Sequence, residues 1–290
     1  MTRMSSATSD VTTHIARLFV YPVKSCAGVE LQEAVLTETG LDLDRAWMVV
    51  DADGVFVSQR EMPRMALVRV QLKHYEVVLR APGMLALHLA IDAVEQPAKV
   101  RVWRDEVSAY DMGNVAAQWF SDFLHAKLRL VRFDPEQRRL SSPRWTGGAE
   151  AGIQFSDGFA LLVVSEGSLD ELNRRLAAAR HEPVGIERFR PNLLLAGLEA
   201  QDEDRLDVVR IEAAQEVQLR PVKPCPRCPI PNIDPATAQI APHVLDALQA
   251  YRSNPIVHGA VTFGMNAIVL QGFDQTLCVG QRVTAGWRFE

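Results

Sequence analysis

Cysteine is scarce in this chain: four residues in 290, Cys26, Cys225, Cys228 and Cys278. That is too few for a disulfide-built scaffold and fits reduced thiols in the cytoplasm. Long apolar runs are missing as well. Stretches such as Phe159–Val164 and Leu193–Ala196 are far too short to span a bilayer, so no membrane association is expected. The polar N-terminus, M-T-R-M-S-S-A-T-S-D-V-T-T, lacks the apolar centre of a signal peptide, and residues 1–13 are expected to form a disordered leader. Positive charge is in deficit, with 31 Lys and Arg against 36 Asp and Glu, which argues against a general nucleic-acid surface. No G-x-G-x-x-G or Walker loop occurs, and the seven histidines show neither H-x-H nor H-E-x-x-H spacing. What remains is ordinary globular usage, 48% hydrophobic and 23% charged, enough for one large or two smaller domains.

The first half reads as closely spaced strands. Ile15–Tyr21 is rich in β-branched and aromatic residues and breaks at Pro22; Val29–Thr37 follows. Ala46–Val50 and Val55–Gln59 flank D-A-D-G, a hairpin signal because Asp and Gly tolerate the turn's positive φ. Ala66–Leu72, Glu76–Arg80, Leu85–Ala90 and Lys99–Val107 continue the series, which together suggests a barrel or sandwich. A helix capped by Asn114 follows, with Val115, Trp119 and Phe123 beside Ala116, Phe120 and Leu124 as its apolar stripe. Leu128–Phe133 is a strand, and Glu136–Gly148 reads as a long mobile loop at a domain boundary near residues 134 and 135. Beyond it come a buried strand at Phe159–Val164, a helix opened by a capping box at Ser168–Glu171, strands at Val208–Ala213 and Val217–Leu219, a helix at His243–Tyr251, and strands at Ala267–Leu270 and Arg282–Ala285.

Three features could carry chemistry. The first is the V-K-P-C-P-R-C-P-I-P-N-I-D-P stretch at Val222–Pro235, where five prolines hold a C-x-x-C pair, Cys225 and Cys228, in extended backbone. A zinc site lacks its second pair of ligands. A thioredoxin-like dithiol needs a helix that Pro229 and Pro231 deny. Two readings stay open: inert thiols in a tight loop, or a single thiolate, stabilised by Lys223 and Arg227, that acts as nucleophile or metal ligand. The second feature is a set of cations in turn-like settings: Lys24 beside Ser25, Arg45, Arg60 and Arg190, with Asn192 two residues on. Taken singly these are surface charges; with Arg227 they suit an anionic ligand. The third, V-V-S-E-G-S at Val163–Ser168, has a strand–turn–helix outline but lacks the first glycine of a nucleophile elbow.

Five motifs in order, Y-P-V-K-S-C-A-G-V, L-D-R-A-W-M-V, R-F-R-P-N-L, K-P-C-P-R-C and F-G-M-N, resemble the MOSC family, and within it the amidoxime-reducing components. The resemblance runs from about Ile15 to the C-terminus. It implies an α+β, β-rich protein: an N-terminal MOSC-type β-barrel module at residues 14–134, packed against a MOSC domain at 135–290 with a β-barrel core and peripheral helices. It implies a molybdenum cofactor (Mo-molybdopterin), with Cys228 as the metal's thiolate ligand; the residues alone do not choose it over Cys225. Lys24, Ser25, Arg45, Arg190 and Asn192 match positions that hold the pterin and its phosphate, Arg227 adjoins the ligand cysteine, and Asn266 falls in the pterin pocket. Gly158 and Phe159 stand where some relatives have hydroxyl residues, so contact there would run through backbone. Pyridoxal phosphate binding is a further family-level association.

The implied activity is two-electron reduction of small N-hydroxylated compounds, such as hydroxylamines, amidoximes and N-hydroxylated bases. Asp234 is read as a turn or supporting residue. No C-x₄-C-x₂-C run of an iron–sulfur domain follows the loop, so the electrons are expected from a separate ferredoxin, cytochrome b5-like protein or flavin reductase. The alternative class is sulfur handling, with a persulfide on Cys228, or simple carriage of the molybdenum cofactor.

Overall fold

In a computed structural model, residues 10–288 are described. Seven strands close a barrel: β1 (Val11–Val20), β2 (Leu161–Ser165), β3 (Leu193–Ala196), β4 (Leu206–Ile211), β5 (Val217–Pro226), β6 (Ala260–Gln271) and β7 (Arg282–Trp287). Around the barrel they run β2-β3-β1-β7-β4-β5-β6, and β6 returns to β2 through Leu161↔Ala267. Only β2 and β3 pair in parallel; the helix between them supplies the crossover that a parallel pair requires. Closure leaves none of these seven strands as a free edge; the short strands Val29–Leu31 and Ser253–Asn254 pair onto β1 and β6 beside the barrel.

The strands alternate as the barrel demands. Ile15, Leu18, Leu161, Val163, Leu195, Val209 and Leu219 point inward to one apolar core. Neighbouring residues Phe19, Leu162, Val164, Leu194 and Phe263 point outward and are buried under helices. β1 is therefore buried on both faces toward its end, which its run of β-branched and aromatic residues allows.

Of the other sheets, one joins Glu33–Thr37 to Gly40–Leu41 and to Thr276–Cys278, and the remaining two come from residues 47–133. Trp47–Val50, Arg129–Phe133, Asp105–Asp111 and Gln96–Val102 form a four-stranded sheet. The Val55–Phe56 segment bridges its two edges, to Arg101 and Val50, and so draws the sheet into a second small barrel. Arg69–Leu72, Glu76–Arg80 and Leu87–Ala90 form a three-stranded sheet over helix α1 (Gly113–Leu124). The small barrel's core includes Phe155, contributed by the chain beyond residue 150. The sheets thus cross the 134/135 division expected from sequence, because β1 belongs to the barrel built from residues beyond 160. No helix among the described residues is long and apolar enough to cross a membrane.

Several local expectations need correction. β1 begins at Val11, inside the stretch expected as disordered leader; residues 1–9 lie outside the described residues. Helix α1 is not capped by Asn114: Asp111 Oδ1 accepts from the Gly113 N–H at 2.7 Å, and Asn114 lies within the helix. Val115 is 76% exposed because Ala117, not Val115, completes the buried stripe. Helix α2 (Glu166–Ala178) starts one turn before the expected box, with Ser165 as cap accepting from the Ser168 N–H. Lys99–Val107 is a hairpin rather than one strand, turning at Trp103 and Arg104. The segment 136–148 is not a free loop: Leu140 bridges to Gly152, a one-turn helix spans Pro143–Thr146, and Arg139 is buried. Arg139 pairs with Asp105 and donates to the Gln154 and Ser156 carbonyls.

Candidate functional site

Where β1 leaves the barrel, the chain runs Tyr21-Pro22-Val23-Lys24 alongside Arg45-Ala46-Trp47. Arg45 N donates to the Tyr21 carbonyl, Trp47 N to Pro22, and Lys24 N to Trp47, at 2.8–2.9 Å. This parallel lacing joins the two barrels and aims Lys24, Ser25 and Arg45 into one cavity of about 240 Å³. The same cavity receives Gly158 and Phe159 from the segment before β2, Arg190 and Asn192 from the segment before β3, Asn266 from β6, and the cysteine loop. All ten residues expected at the site from sequence line it, and so do Arg60, Lys223 and Cys225.

The cavity is cationic. Among the described residues Lys24, Arg45, Arg60, Arg190, Lys223 and Arg227 line it against a single carboxylate, Asp157, in a chain whose net charge is -5. Lys24 is 7% exposed and donates to the Phe155 carbonyl at 2.7 Å and to Asp157 at 2.5 Å. Burial lowers the lysine's pKa, with Asp157 opposing. Burial alone would raise the pKa of Asp157; the Lys24 charge and hydrogen bond, with a further bond from Trp103 Nε1 at 3.0 Å, outweigh it and hold the carboxyl below its ordinary range.

Arg45 and Arg190 stack on Tyr21, at 4.4 and 4.2 Å from its ring centre. Arg45 also bonds Asp44, Asn192 Oδ1 and the Arg190 carbonyl, while Arg190 donates to the Cys26 carbonyl at 2.6 Å. Burial, with the Arg45 charge added, pushes Arg190 down to about 10. Two largely enclosed like charges side by side are relieved by a bound anion. Ser25, Arg45 and Arg190 all hold positive φ, at 67°, 55° and 58°. For residues other than glycine this conformation costs about 1 kcal/mol or more each and persists where surrounding structure imposes it, as at ligand clamps.

Asn192 is fully buried, and much of its amide is used within the protein. Its Nδ2 donates to the Phe19 carbonyl, and its Oδ1 accepts from the Leu162 N–H and from Arg45. Its work is to hold β1, β2 and Arg45 together beneath the cavity.

The cysteine loop is extended through Pro226, as its prolines require, then makes a 3-10 turn at Ile230–Asn232. Pro has no N–H, so the β5–β6 ladder slips near Pro221, Pro224 and Pro226. Arg227 does not point to Cys228: its Nη1 lies 3.1 Å from Cys225 Sγ, and its Nη2 donates to the Phe189 carbonyl. Its Nε is buried without a partner. Cys225 packs partly against the apolar cluster under the helices. Asp234 closes an Asx turn onto the Ala236 and Thr237 N–H groups and pairs with Arg188 at 2.9 Å.

Sequence reasoning missed three contributors. Tyr21, which carries both arginines, appears in the sequence only as part of a motif. Asp44, 2% exposed, bonds the Tyr21 N–H and Arg45; its adjacency to Arg45 was the available signal. Trp103 reaches the site from the hairpin turn of the other module and left no sequence trace.

Known proteins agree with this arrangement. Residues 12–127 match the MOSC N-terminal beta barrel domain, and residues 150–284 match the MOSC domain. The mitochondrial amidoxime reducing component 2 of Homo sapiens is 34% identical over 251 residues, covering 82% of this chain and 72% of that protein. Component 1 of Mus musculus is 34% identical over 248 residues, covering 82% and 71%. The molybdenum cofactor sulfurase of Homo sapiens is 28% identical over 262 residues, but this chain spans only 29% of its length. The chain therefore belongs to the MOSC family in which a MOSC N-terminal barrel precedes a MOSC domain, the family of the mitochondrial amidoxime-reducing components.

Proposed function

We propose that this chain is a molybdenum-cofactor-dependent reductase of N-hydroxylated compounds, working in the cytoplasm with electrons from a separate redox protein. The observation that carries the reading is the cavity itself: six cations, Lys24 buried and the others half-buried, and two thiols converge on a space with one carboxylate among the described residues. Three further details fit a phosphate-bearing, sulfur-ligated metal group. Arg227 Nε is a buried donor without a partner. A side chain at Gly158 would meet no protein atom within 4 Å, so that backbone is open to a ligand. The thiols are soft donors suited to such a metal.

In this reading Lys24, Ser25, Arg45 and Arg190 would hold the phosphate and pterin, and Gly158, Phe159 and Asn266 would line the pterin's part of the cavity. Cys228 supplies the thiolate, and Arg227, bonded to Cys225, holds the loop that presents it. The bound cofactor supplies two-electron oxygen-atom chemistry. In the net reaction an N–OH compound, two electrons and two protons yield the N–H compound and water, with the N–O bond broken and nitrogen reduced. The donor is a ferredoxin, cytochrome b5-like protein or flavin reductase. Arg45 and Arg190, stacked on Tyr21, would hold the cofactor's anionic end.

Metal analysis of the purified chain tests this. About one molybdenum per chain is expected, lost in Cys228→Ala and kept in Cys225→Ala, with benzamidoxime reduced by viologen-supplied electrons. The match to a sulfurase supports a second reading, in which Cys228 carries a persulfide. Absence of molybdenum together with cyanide-labile sulfur on Cys228 would favour it. Bound molybdenum without reduction of any N-hydroxylated compound would point to a cofactor carrier.

A further inference from the structure

Six cations line the cavity, and most have structural acceptors. Lys24 meets Asp157, Arg45 meets Asp44, Arg190 meets the Cys26 carbonyl and Arg227 meets the Phe189 carbonyl. Arg60, on the side of the other module, lies 3.6 Å from Glu61 and stacks on Trp103 at 4.7 Å. Lys223 differs. Its ammonium lies 5.2 Å from the Trp145 ring centre and 5.9 Å from that of Phe159, and among the described residues it has no carboxylate within ion-pair distance. Both Lys223 and Phe159 line the cavity, and Trp145 sits on the one-turn helix that packs against β5. Lys223 is half-buried, and aromatic faces compensate an ammonium only in part.

We propose that Lys223, framed by Phe159 and Trp145, is a specificity-determining residue that binds an oxyanion, a carboxylate or phosphate, on the N-hydroxylated substrate. The inference rests on the reductase reading above and names the substrate class of that site. The fit is one of charge and position. The inner cations surround the place assigned to the cofactor's own anionic end, which leaves Lys223 as the cation not held by a protein acceptor. A compact ammonium on a flexible stem meets an oxyanion without demanding bidentate geometry, and it accepts either a planar or a tetrahedral anion. An exposed lysine that merely keeps the surface soluble would not be enclosed by two rings.

Two neutral or anionic pairs of small molecules provide the test. With the molybdenum-loaded chain and viologen-supplied electrons, kcat/KM for 4-carboxybenzamidoxime should exceed that for benzamidoxime at least tenfold. Lys223→Gln should abolish that ratio mainly through KM, Lys223→Arg should restore most of it, and added salt should erode it in the wild type. Independently of turnover, quenching of tryptophan fluorescence should show 4-carboxybenzamide binding more tightly than benzamide, with the difference lost in Lys223→Gln. An unchanged ratio and an unchanged binding difference in Lys223→Gln would overturn the proposal. So would a loss of molybdenum from that variant with the substrate ratio intact, which would make Lys223 a holder of the cofactor. If the loaded wild type reduces neither amidoxime, the reductase reading fails by itself, and the fluorescence arm still decides whether Lys223 binds the anion.

Discussion

Glu203 offers the sharpest quantitative test of the fold. Its carboxyl is completely buried beneath α2, where Oε2 accepts hydrogen bonds from the Ser165 and Ser168 hydroxyls at 2.7 and 2.9 Å and Oε1 has no partner. Burial, reinforced by neighbouring Asp204 and opposed by the two serines, raises its pKa from 4.5 to about 7. Arg252 faces the same region but is bound to Asp204 at 2.7 Å. For an acid raised in this way, the folded state retains a proton that the unfolded chain gives up, so stability falls as pH rises. Below about pH 4.5 both states are protonated and nothing is lost; across the interval to about 7 the loss accumulates at about 1.4 kcal/mol per pH unit, about 3 kcal/mol in all, and above it the penalty is constant. Glu203→Gln keeps an acceptor for both serines and removes the titration. Urea unfolding at pH 4.5 and pH 8 should show the variant gaining about 3 kcal/mol relative to wild type between the two conditions. The unpartnered amide nitrogen adds an offset that does not vary with pH, so the difference in slopes is what counts. Asp204, also raised by burial, contributes a slope common to both proteins. Parallel pH profiles for the two proteins would refute the reasoning.

The remaining expectations concern the cavity and the barrel. Gly28→Ala would place a methyl group 2.5 Å from Cε1 of Tyr21, displacing the ring that carries Arg45 and Arg190; molybdenum retention should fall several-fold while the far-UV circular dichroism stays unchanged. Arg190→Lys loses both the stacked plane and the fork geometry, and should weaken cofactor retention about tenfold or more in dialysis against chelator, an outcome that near-wild-type retention would contradict. Ile15→Ala opens a void in the barrel core at a fully buried position and should cost about 2–5 kcal/mol in urea denaturation, without a specific effect on the cavity.

Strands and motifs were legible because their signals are local. The β-branched and aromatic run of Ile15–Tyr21, the D-A-D-G turn and the proline-held C-x-x-C each follow from residue chemistry within a few positions. Helix starts were misplaced for the same reason in reverse. Asn114 and Ser168 are good caps in isolation, but the N–H groups were taken by Asp111 and Ser165, one choice among adjacent polar residues that tertiary packing decides. The segment 136–148 looked mobile because Arg, Ser and Gly signal loops; its anchor is Arg139, whose carbonyl partners at Gln154 and Ser156 no local pattern announces. The site's cations were legible as types in turn-like settings, whereas their shared platform on Tyr21 depends on the positive φ of Arg45 and Arg190, a property of the folded backbone.

The placement of the cavity follows from which contacts cross between modules. Lys24 and Arg45 come from the first 45 residues, yet apart from Asp44 their acceptors, the Phe155 carbonyl, Asp157, Asn192 and the Arg190 carbonyl, lie beyond residue 150. Phe155 fills the core of the small barrel, and β1 is a stave of the large one, so each module contributes a piece of the other's interior. Separating them would strip Lys24 of its acceptors, leave Arg45 with Asp44 and the Tyr21 ring alone, and open both cores, a cost of several kcal/mol from the apolar terms alone. The positive-φ conformations of Ser25, Arg45 and Arg190 are held by this mutual enclosure. An anion that binds all three therefore stabilises the junction as well as the site, and loss of the junction should release it.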